Sequence, residues 1–403
     1  MSFQTIDHQT WKSKLIQELK TKTWEGIQWS IAGNIVLEPL YDAENVEDLG
    51  YLKDFHEKVI SRKRTKPTLI GFADGLNDTE LEIAEGYGLH KWFASDSRYL
   101  KKSGIPSGFR VKQTEGNSKS QFSEYDPFFD LIHSGTSAKE SAKTVNGKSD
   151  SFHIHASDIH QAGGNPVQEI AGGLIAAAFY SDFYPTDFWN SPKTIHLAAG
   201  PGFLVELCKI RAMRLLWLNL CSIHCQSTEN LKIQVQTSTV TWSKTDCDTN
   251  LLRHTLGAMA AILGGADELL IFPHRFNPTN QLEACRLALD IGHLALEESH
   301  LQDYDDPAAG SFLADTITHN LAKEAWATFT KWTQIGWNQL LENQIIQNEV
   351  KESAKLLRSQ FESGKLSMVG VNIFPSDFSR KSDSFPALVE QEQSAMPFLF
   401  LDA

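Results

Sequence analysis

The chain has 403 residues, of which 41% are hydrophobic and 22% are charged, and its formal net charge is −13. This composition is typical of a globular protein with one large domain or two ordinary ones. The acidic balance disfavours nucleic acid or an anionic membrane surface as the main partner. The N-terminus has no apolar leader segment, and no run approaches the roughly 20 apolar residues of a membrane span. We therefore expect a cytoplasmic protein.

The five cysteines are an odd number and show no repeated metal-ligand spacing. Cys221 and Cys225 flank His224, but a metal site would require further ligands. We expect buried thiols in a reducing compartment rather than disulfides or a metal centre.

The first 66 residues are predicted to be an N-terminal extension. Helices are expected at 10–20 and 46–62, and 34–41 is predicted to be an arm lying on the protein or on a partner. The first convincing core strand is 68–72. Further on, short strands are predicted at 109–112 and 128–132, and exposed polar loops at 117–121 and 136–150.

From residue 151 onward, strands and helices alternate regularly. Strands are predicted at 152–156, 194–198, 231–236 and 268–272. Asn165 followed by Pro166 predicts a helix start, with apolar residues following at helical spacing. In residues 251–311, apolar stripes indicate two helices: Leu252, Leu256, Met259 and Leu263 on the first, and Leu287, Ile291 and Leu294 on the second.

Four successive strand–helix units indicate a parallel sheet, and weaker strands upstream bring the number available to eight. We therefore predict an α/β fold: a TIM (β/α)8 barrel over 67–375, with the extension 1–66 and a short tail 376–403. An open doubly wound sheet is the alternative. Neither GxGxxG after a strand nor GxxxxGK[ST] is present, so the usual nucleotide-binding motifs are absent.

Reactive groups of such barrels lie at the C-terminal ends of the strands. This rule selects the following candidates: His153, His155, Asp158, His160, His196, Gln234, Gln236, Thr237, His274 and Arg275. His153 and His155 are two apart on a strand, point to the same side, and suggest a metal-dependent barrel hydrolase. The alternative is that these rings face the helices or line the barrel with satisfied nitrogens.

Several separate motifs closely resemble the acyl-CoA mutase family typified by methylmalonyl-CoA mutase. They occur in the family's order and cover about 150–375 strongly, with a weaker likeness in the N-terminal arm. The motifs are WEGI (24–27), EPLY (38–41), IHQAGGNPVQE (159–169), KIRAMRLLW (209–217), LRHTLGAMAAILGGAD (252–267), EES (297–299), DPAAGS (306–311) and MVGVNIFP (368–375).

The resemblance implies a TIM barrel that binds an acyl-CoA through its middle. Adenosylcobalamin is then held between the barrel and a C-terminal domain whose Asp-x-His-x-x-Gly signature supplies the lower cobalt ligand. The implied reaction is a radical carbon-skeleton rearrangement, in which the cofactor does the difficult step. About 30 residues follow Pro375, so we expect no cobalamin domain here and adenosylcobalamin in a partner subunit.

Compared with catalytic members, this chain departs at three places. Asp158 stands where they carry the histidine of Gly-Tyr-His-Ile-x-Glu-Ala-Gly, and Gln234 stands where they carry that of Phe-His-Cys-Gln-Thr. Their Arg-Pro-Trp-Thr-x-Arg segment has no counterpart after Tyr41. A carboxylate would repel charge developing on the thioester oxygen, whereas an imidazole stabilises it.

These departures predict no catalytic residue and no metal ligand in this chain. Asp158, His160, Gln234 and Gln236 remain candidates for substrate binding, although each is better explained as a structural polar group. Arg211 and Arg214 are interpreted as helix-surface salt bridges, and 306–311 as a turn that fixes a loop and a helix start.

His160-Gln-Ala-Gly163 and DPFFDL (126–131) resemble segments of the family's small subunits. The resemblance implies a structural, catalytically silent small (β) subunit that pairs with a large catalytic subunit, although a homodimer also fits. That complex would interconvert methylmalonyl-CoA and succinyl-CoA. One alternative is a barrel that works with a separate cobalamin-domain chain. The other is the metal-dependent hydrolase with His153 and His155.

Overall fold

The computed structural model describes most of the chain from residue 7 to residue 375. The described residues are 7–19, 23–32, 35–61, 66–72, 76–77, 79–80, 83, 86, 92–94, 109–113, 123–126, 128–129, 132, 151–227, 231–243, 246–275 and 281–375. The predicted tail 376–403 and the predicted loops 117–121 and 136–150 lie outside them.

The N-terminal part packs on the rest of the chain. It consists of α1 (His8–Glu18), the antiparallel hairpin of β1 (Trp29–Ala32) and β2 (Ile35–Leu37), and α2 (Leu52–Ser61). The side chains of Ile35 and Leu37 are buried in the main core, so the predicted arm does lie on the protein. The second predicted helix begins later than expected because residues 43–46 form a separate 3-10 turn capped by Asp42.

Eight parallel strands form one sheet in the order β6-β5-β4-β3-β10-β9-β8-β7. They are β3 (Thr68–Phe72), β4 (Trp92–Ala94), β5 (Phe109–Gln113), β6 (Ser123–Tyr125), β7 (Phe152–Ile154), β8 (Lys193–Ala199), β9 (Leu231–Thr237) and β10 (Glu268–Leu270). The last strand, β10, pairs with the first, β3. The ends of the order, β6 and β7, lie beside each other without a ladder among the described residues. This is the strand order of the predicted barrel.

Helices follow the strands and cover the outside of the sheet. They are α3 (Ser157–Gln161), α4 (Pro166–Phe183), α5 (Pro185–Asn190), α6 (Phe203–Ile223), α7 (Asp248–Leu263), α8 (Gln281–His293), α9 (Phe312–Ile335), α10 (Trp337–Glu342) and α11 (Ile345–Glu362). Asn165 caps α4 as predicted, with its side-chain oxygen accepting from the N–H of Gln168. Among the described residues, no helix is long and apolar enough to cross a membrane.

Successive residues of a strand point alternately to the surrounding helices and to the barrel interior, so the apolar side chains form two clusters. Ile154, Ile195, Ile233 and Val235 belong to the large core shared with the helices. A second cluster comes from β3 and the end of β10, and contains Ile70, Phe72, Leu270 and Phe272 with Trp242 packed on them. These residues alternate with the first set, so they line the barrel interior.

Only the end of the predicted apolar stripe of α7 faces the core. Leu263 is partly buried against it, whereas Leu252 is 65% exposed and Leu256 is 42% exposed. The buried face instead carries small or polar residues, among them His254 and Gly257. A Cβ on Gly257 would lie 2.4 Å from the backbone oxygen of Ala199. The helix therefore approaches β8 so closely that no side chain fits at this position. Leu294 after α8 is likewise 53% exposed.

Two further predictions were wrong. Phe128 and Phe129 are helical and buried rather than part of a strand. Arg211 and Arg214 are buried rather than on the helix surface: Arg211 binds Asp306 and Asp315, and Arg214 binds Asp267.

The predicted turn at 306–311 is correct, because the side chain of Ser311 caps α9. Cys208, Cys221, Cys247 and Cys285 are buried and not in disulfides, whereas Cys225 is exposed.

Candidate functional site

Polar side chains line one part of the barrel interior. His153, His155, His196, Gln234 and Gln236, from β7 to β9, are all buried. His196 and Glu268 lie in register on either side of Gln234. The interior is therefore polar at β7 to β9 and at Glu268 of β10, and apolar around Phe72, Leu270 and Phe272.

The two histidines predicted as metal ligands both meet a third histidine. The Nδ1 atom of His153 lies 3.0 Å from Nε2 of His196. The ring of His155 stacks on that of His196 at a centroid distance of 4.2 Å. Within the described part of the chain, no three His, Cys, Asp or Glu side chains are arranged to hold a metal ion. The geometry therefore gives no support to the metal-dependent hydrolase.

Gln234 and Gln236 are adjacent inward positions of β9. Gln234 is 1% exposed, and its Oε1 has no hydrogen-bond partner in the part of the chain that the structure describes. Gln236 lies in register with Ala198 and Leu270. A buried acceptor without a partner costs about 1–3 kcal/mol, so Gln234 offers a polar group that a ligand in the barrel would satisfy.

Asp158 is in the first turn of α3, directly after β7, and is buried. It lies close to a second buried carboxyl, Asp126, which accepts from the backbone N–H of His155 at 2.6 Å and from the hydroxyl of Tyr180. Burial, reinforced by the charge of Asp158, raises the pKa of Asp126 to about 6 although its hydrogen bonds oppose the shift. Two carboxyl groups therefore share the end of β7.

His160 connects three elements at the same end of the barrel. Its Nε2 lies 2.7 Å from Oγ of Ser238, the residue after β9. Its Nδ1 lies 3.6 Å from Oε2 of Glu169 on α4. Glu169 is paired in turn with Lys209 of α6 at 2.6 Å.

The pKa of Glu169 is set by two opposing effects. Burial favours the neutral form of this carboxyl. Lys209 and His160 outweigh burial and lower the pKa of Glu169. The carboxylate is therefore ionised at neutral pH and stands as a fixed negative charge behind the imidazole of His160.

The run from Asp158 to Gly163 also matches Asp-x-His-x-x-Gly, the pattern that the resemblance associates with the lower cobalt ligand. Here the run lies on α3, directly after β7, and the imidazole of His160 is turned to Ser238 and Glu169. Nε2 is hydrogen-bonded to Ser238, and Nδ1 faces the Glu169 carboxylate 3.6 Å away. The residues present do not fit a cobalamin ligand.

The structure places Asp158, His160, Gln234 and Gln236 at the ends or on the inner side of the strands, and their role in substrate binding stays a prediction. The sequence did not point to their neighbours Ser238, Glu169 and Lys209. Ser238 directly follows a strand, so the strand-end rule could have found it. Glu169 and Lys209 lie 40 residues apart in sequence, on two different helices, and no local sequence pattern predicts that they pair.

Comparison with known proteins identifies the relatives of this barrel. The chain is 27% identical over 275 residues to the methylmalonyl-CoA mutase small subunit of Porphyromonas gingivalis, covering 62% of this chain and 44% of that protein. It is 28% identical over 231 residues to a probable methylmalonyl-CoA mutase small subunit of Mycobacterium bovis, covering 54% and 37%. With the methylmalonyl-CoA mutase of Cereibacter sphaeroides it shares 28% over 243 residues, covering 56% and 33%.

The chain thus spans less than half the length of these relatives. The model of the methylmalonyl-CoA mutase family matches residues 137–395, which is more than half of the chain. This protein belongs to the methylmalonyl-CoA mutase family.

Proposed function

We propose that this chain is the small (β) subunit of an adenosylcobalamin-dependent methylmalonyl-CoA mutase. It pairs with a large catalytic subunit in the cytoplasm, stabilises it, and does not itself catalyse the interconversion of methylmalonyl-CoA and succinyl-CoA. The likeness to small subunits of Porphyromonas gingivalis and Mycobacterium bovis supports this assignment.

The observation that carries the proposal is the buried carboxyl of Asp158 beside that of Asp126. Rearranging an acyl thioester places partial negative charge on its carbonyl oxygen, and a catalytic site needs donors there. This chain resembles the catalytic members of the family, but they carry a histidine at the position of Asp158. A carboxylate there, with a second one close by, disfavours such charge.

Acyl-CoA binding without turnover is compatible with the polar part of the interior. Gln234 and Gln236 carry amide groups that donate as well as accept, so they suit a thioester carbonyl. Adenosylcobalamin is assigned to the partner subunit, because His160 does not fit as a cobalt ligand here.

Affinity purification of the chain from its native cell tests the pairing. We expect a larger mutase subunit to be recovered in equal amount, since the exposed Leu252 and Leu256 of α7 leave an apolar face for a partner. In the same purification with Leu252→Lys and Leu256→Lys together, charge on this exposed face should reduce that recovery without unfolding the chain. Recovery of a free monomer from the unsubstituted chain contradicts the proposal.

A turnover assay separates this function from the alternative of a barrel with a separate cobalamin-domain chain. The isolated chain is mixed with adenosylcobalamin, a cobalamin-domain protein and methylmalonyl-CoA. We expect no succinyl-CoA. Turnover that is lost in a Gln234→Leu variant would establish the alternative instead.

A further inference from the structure

We propose that Ser238, His160 and Glu169 form a nucleophile–base–carboxylate triad that cleaves acyl esters and thioesters at the C-terminal end of the barrel. This activity is separate from the rearrangement and requires no cofactor. The choice of acyl-CoA as the thioester rests on the proposed function, whereas ester cleavage does not.

The first support is geometric. The 2.7 Å contact between Ser238 Oγ and His160 Nε2 is a hydrogen bond of the length that a serine nucleophile and its base require. On the other side of the ring, Glu169 Oε2 is 3.6 Å from Nδ1, beyond hydrogen-bond distance, and Nδ1 is buried with no hydrogen-bond partner among the described residues. Such contacts are often long without substrate and tighten in the complex.

The second support is the charge behind the imidazole. Glu169 and Glu206 both pair with Lys209, so two carboxylates face one ammonium group. This arrangement leaves one net negative charge beside His160. An imidazolium formed by taking a proton from Ser238 is therefore stabilised, as in Ser-His-Asp triads.

The carboxylate of Glu169 is also held in a fixed position. Its Oε1 accepts from the backbone N–H of Ala198 at 2.6 Å. Lys209 binds both Oε2 and the carbonyl oxygen of Ala198, at 2.6 and 2.7 Å. Both side chains are fully buried, so water does not compete for this orientation.

The third support is a buried amide that contacts Thr239, the residue directly after Ser238. Gln161 is 8% exposed, and its Oε1 accepts from the hydroxyl of Thr239 at 2.8 Å. Its Nε2 has no hydrogen-bond partner among the described residues. In the proposed reaction this amide would be a candidate donor to the oxyanion, since its side chain contacts the residue that directly follows Ser238.

The reaction balances with water as the only co-reactant. Ser238 Oγ attacks the carbonyl carbon, and its proton moves to His160 Nε2. The bond from that carbon to sulfur or oxygen breaks, and the leaving thiolate or alkoxide takes the proton. Water, deprotonated by His160, then cleaves the serine ester, and His160 returns the proton to Ser238 as the carboxylic acid leaves.

The simpler interpretation is that His160 only ties α3 to the end of β9. A fluorophosphonate probe distinguishes the two, because it labels a serine only when a base activates it. We expect labelling of the full chain on the peptide that contains Ser238, and none in Ser238→Ala or His160→Gln. A matched control is Ser243→Ala, which removes a buried hydroxyl bonded to the N–H of Asp246 and should label normally.

Hydrolysis of p-nitrophenyl acetate and of acetyl-CoA gives the second measurement. We expect kcat/KM to fall by about 10³-fold or more in Ser238→Ala and His160→Gln, and to stay within about twofold in Ser243→Ala. Thermal unfolding verifies that each variant is folded. Absence of labelling in the unsubstituted chain, or undiminished hydrolysis in folded Ser238→Ala, overturns the triad.

The same variants distinguish this proposal from the small-subunit function. Co-purification of the large subunit with a chain that shows no labelling overturns the triad alone. Labelling and ester cleavage without a partner overturns the pairing alone. Cleavage of p-nitrophenyl acetate but not of acetyl-CoA overturns the acyl-CoA assignment while the triad stands.

Discussion

Lys209 and Glu169 form an ion pair with both side chains fully buried, the Nζ atom lying 2.6 Å from Oε2. Burial by itself would neutralise both groups. The pair outweighs burial, so the pKa of Glu169 is lowered and that of Lys209 is raised. Through Ala198, the pair ties helices α4 and α6 to strand β8.

Removing the ammonium group should therefore be costly. Lys209→Met leaves Glu169 and Glu206 buried without a cation, and we expect the free energy of unfolding to fall by about 3–5 kcal/mol. The control Lys355→Met breaks an exposed pair with Glu352 and should cost less than about 1 kcal/mol. Urea denaturation measures both. Equal losses would show that burial does not determine the energy of the pair.

Arg211 is expected to resist replacement by lysine. Its Nε and Nη2 atoms bind the carboxylate of Asp306, and Nη1 donates to Thr318 at 2.9 Å. A lysine lacks this planar set of donors, so Arg211→Lys should lower the free energy of unfolding by about 1.5–3 kcal/mol. Arg358→Lys, in an exposed pair with Glu362, is the control and should be nearly neutral. An unchanged free energy of unfolding in Arg211→Lys would show that the bidentate contact with Asp306 does not stabilise the chain.

Gly257 is expected to tolerate no side chain. In Gly257→Ala the new methyl group meets the backbone oxygen of Ala199, which cannot rotate away as a side chain would. We expect the free energy of unfolding to fall by about 1–3 kcal/mol. Gly50 has nothing within 4 Å of the corresponding position, and Gly50→Ala should not destabilise the chain. Thermal melts of the two variants give the comparison, and equal melting temperatures would refute it.

His254 should make stability depend on pH. Burial, with the charges of His274 and Arg253, lowers the pKa of His254 from 6.5 to about 3. The unfolded chain then binds a proton that the folded chain does not, so stability is lost as pH falls below about 6.5. The loss attributable to His254 is about 2 kcal/mol at pH 5.

The measurement is the free energy of unfolding between pH 8 and pH 5. His254→Gln should show a shallower decline than the unsubstituted chain. His300→Asn, at a side chain that is 65% exposed, should leave the slope unchanged. Identical slopes in all three proteins would exclude His254 as the source.

Much of the architecture could be predicted from local patterns. The strands at 68–72 and from 152 onward, the capped start of α4 and the turn before α9 all lie where the sequence indicates. Strand length, the cap Asn165 and the turn chemistry of 306–311 are properties of neighbouring residues, so they are visible in sequence. The alternation of strands and helices predicted the parallel barrel, and the family motifs added the substitutions Asp158 and Gln234.

The tertiary structure alone decided which surfaces meet. Leucines at helical spacing indicate an apolar face on α7, yet the face with Gly257 is buried because only a small residue admits the backbone of β8. Likewise, Ser238, His160 and Glu169 converge from three elements, with 78 residues separating the first two. Local spacing determines helices and strands, whereas contacts across the barrel depend on how closely the backbones approach.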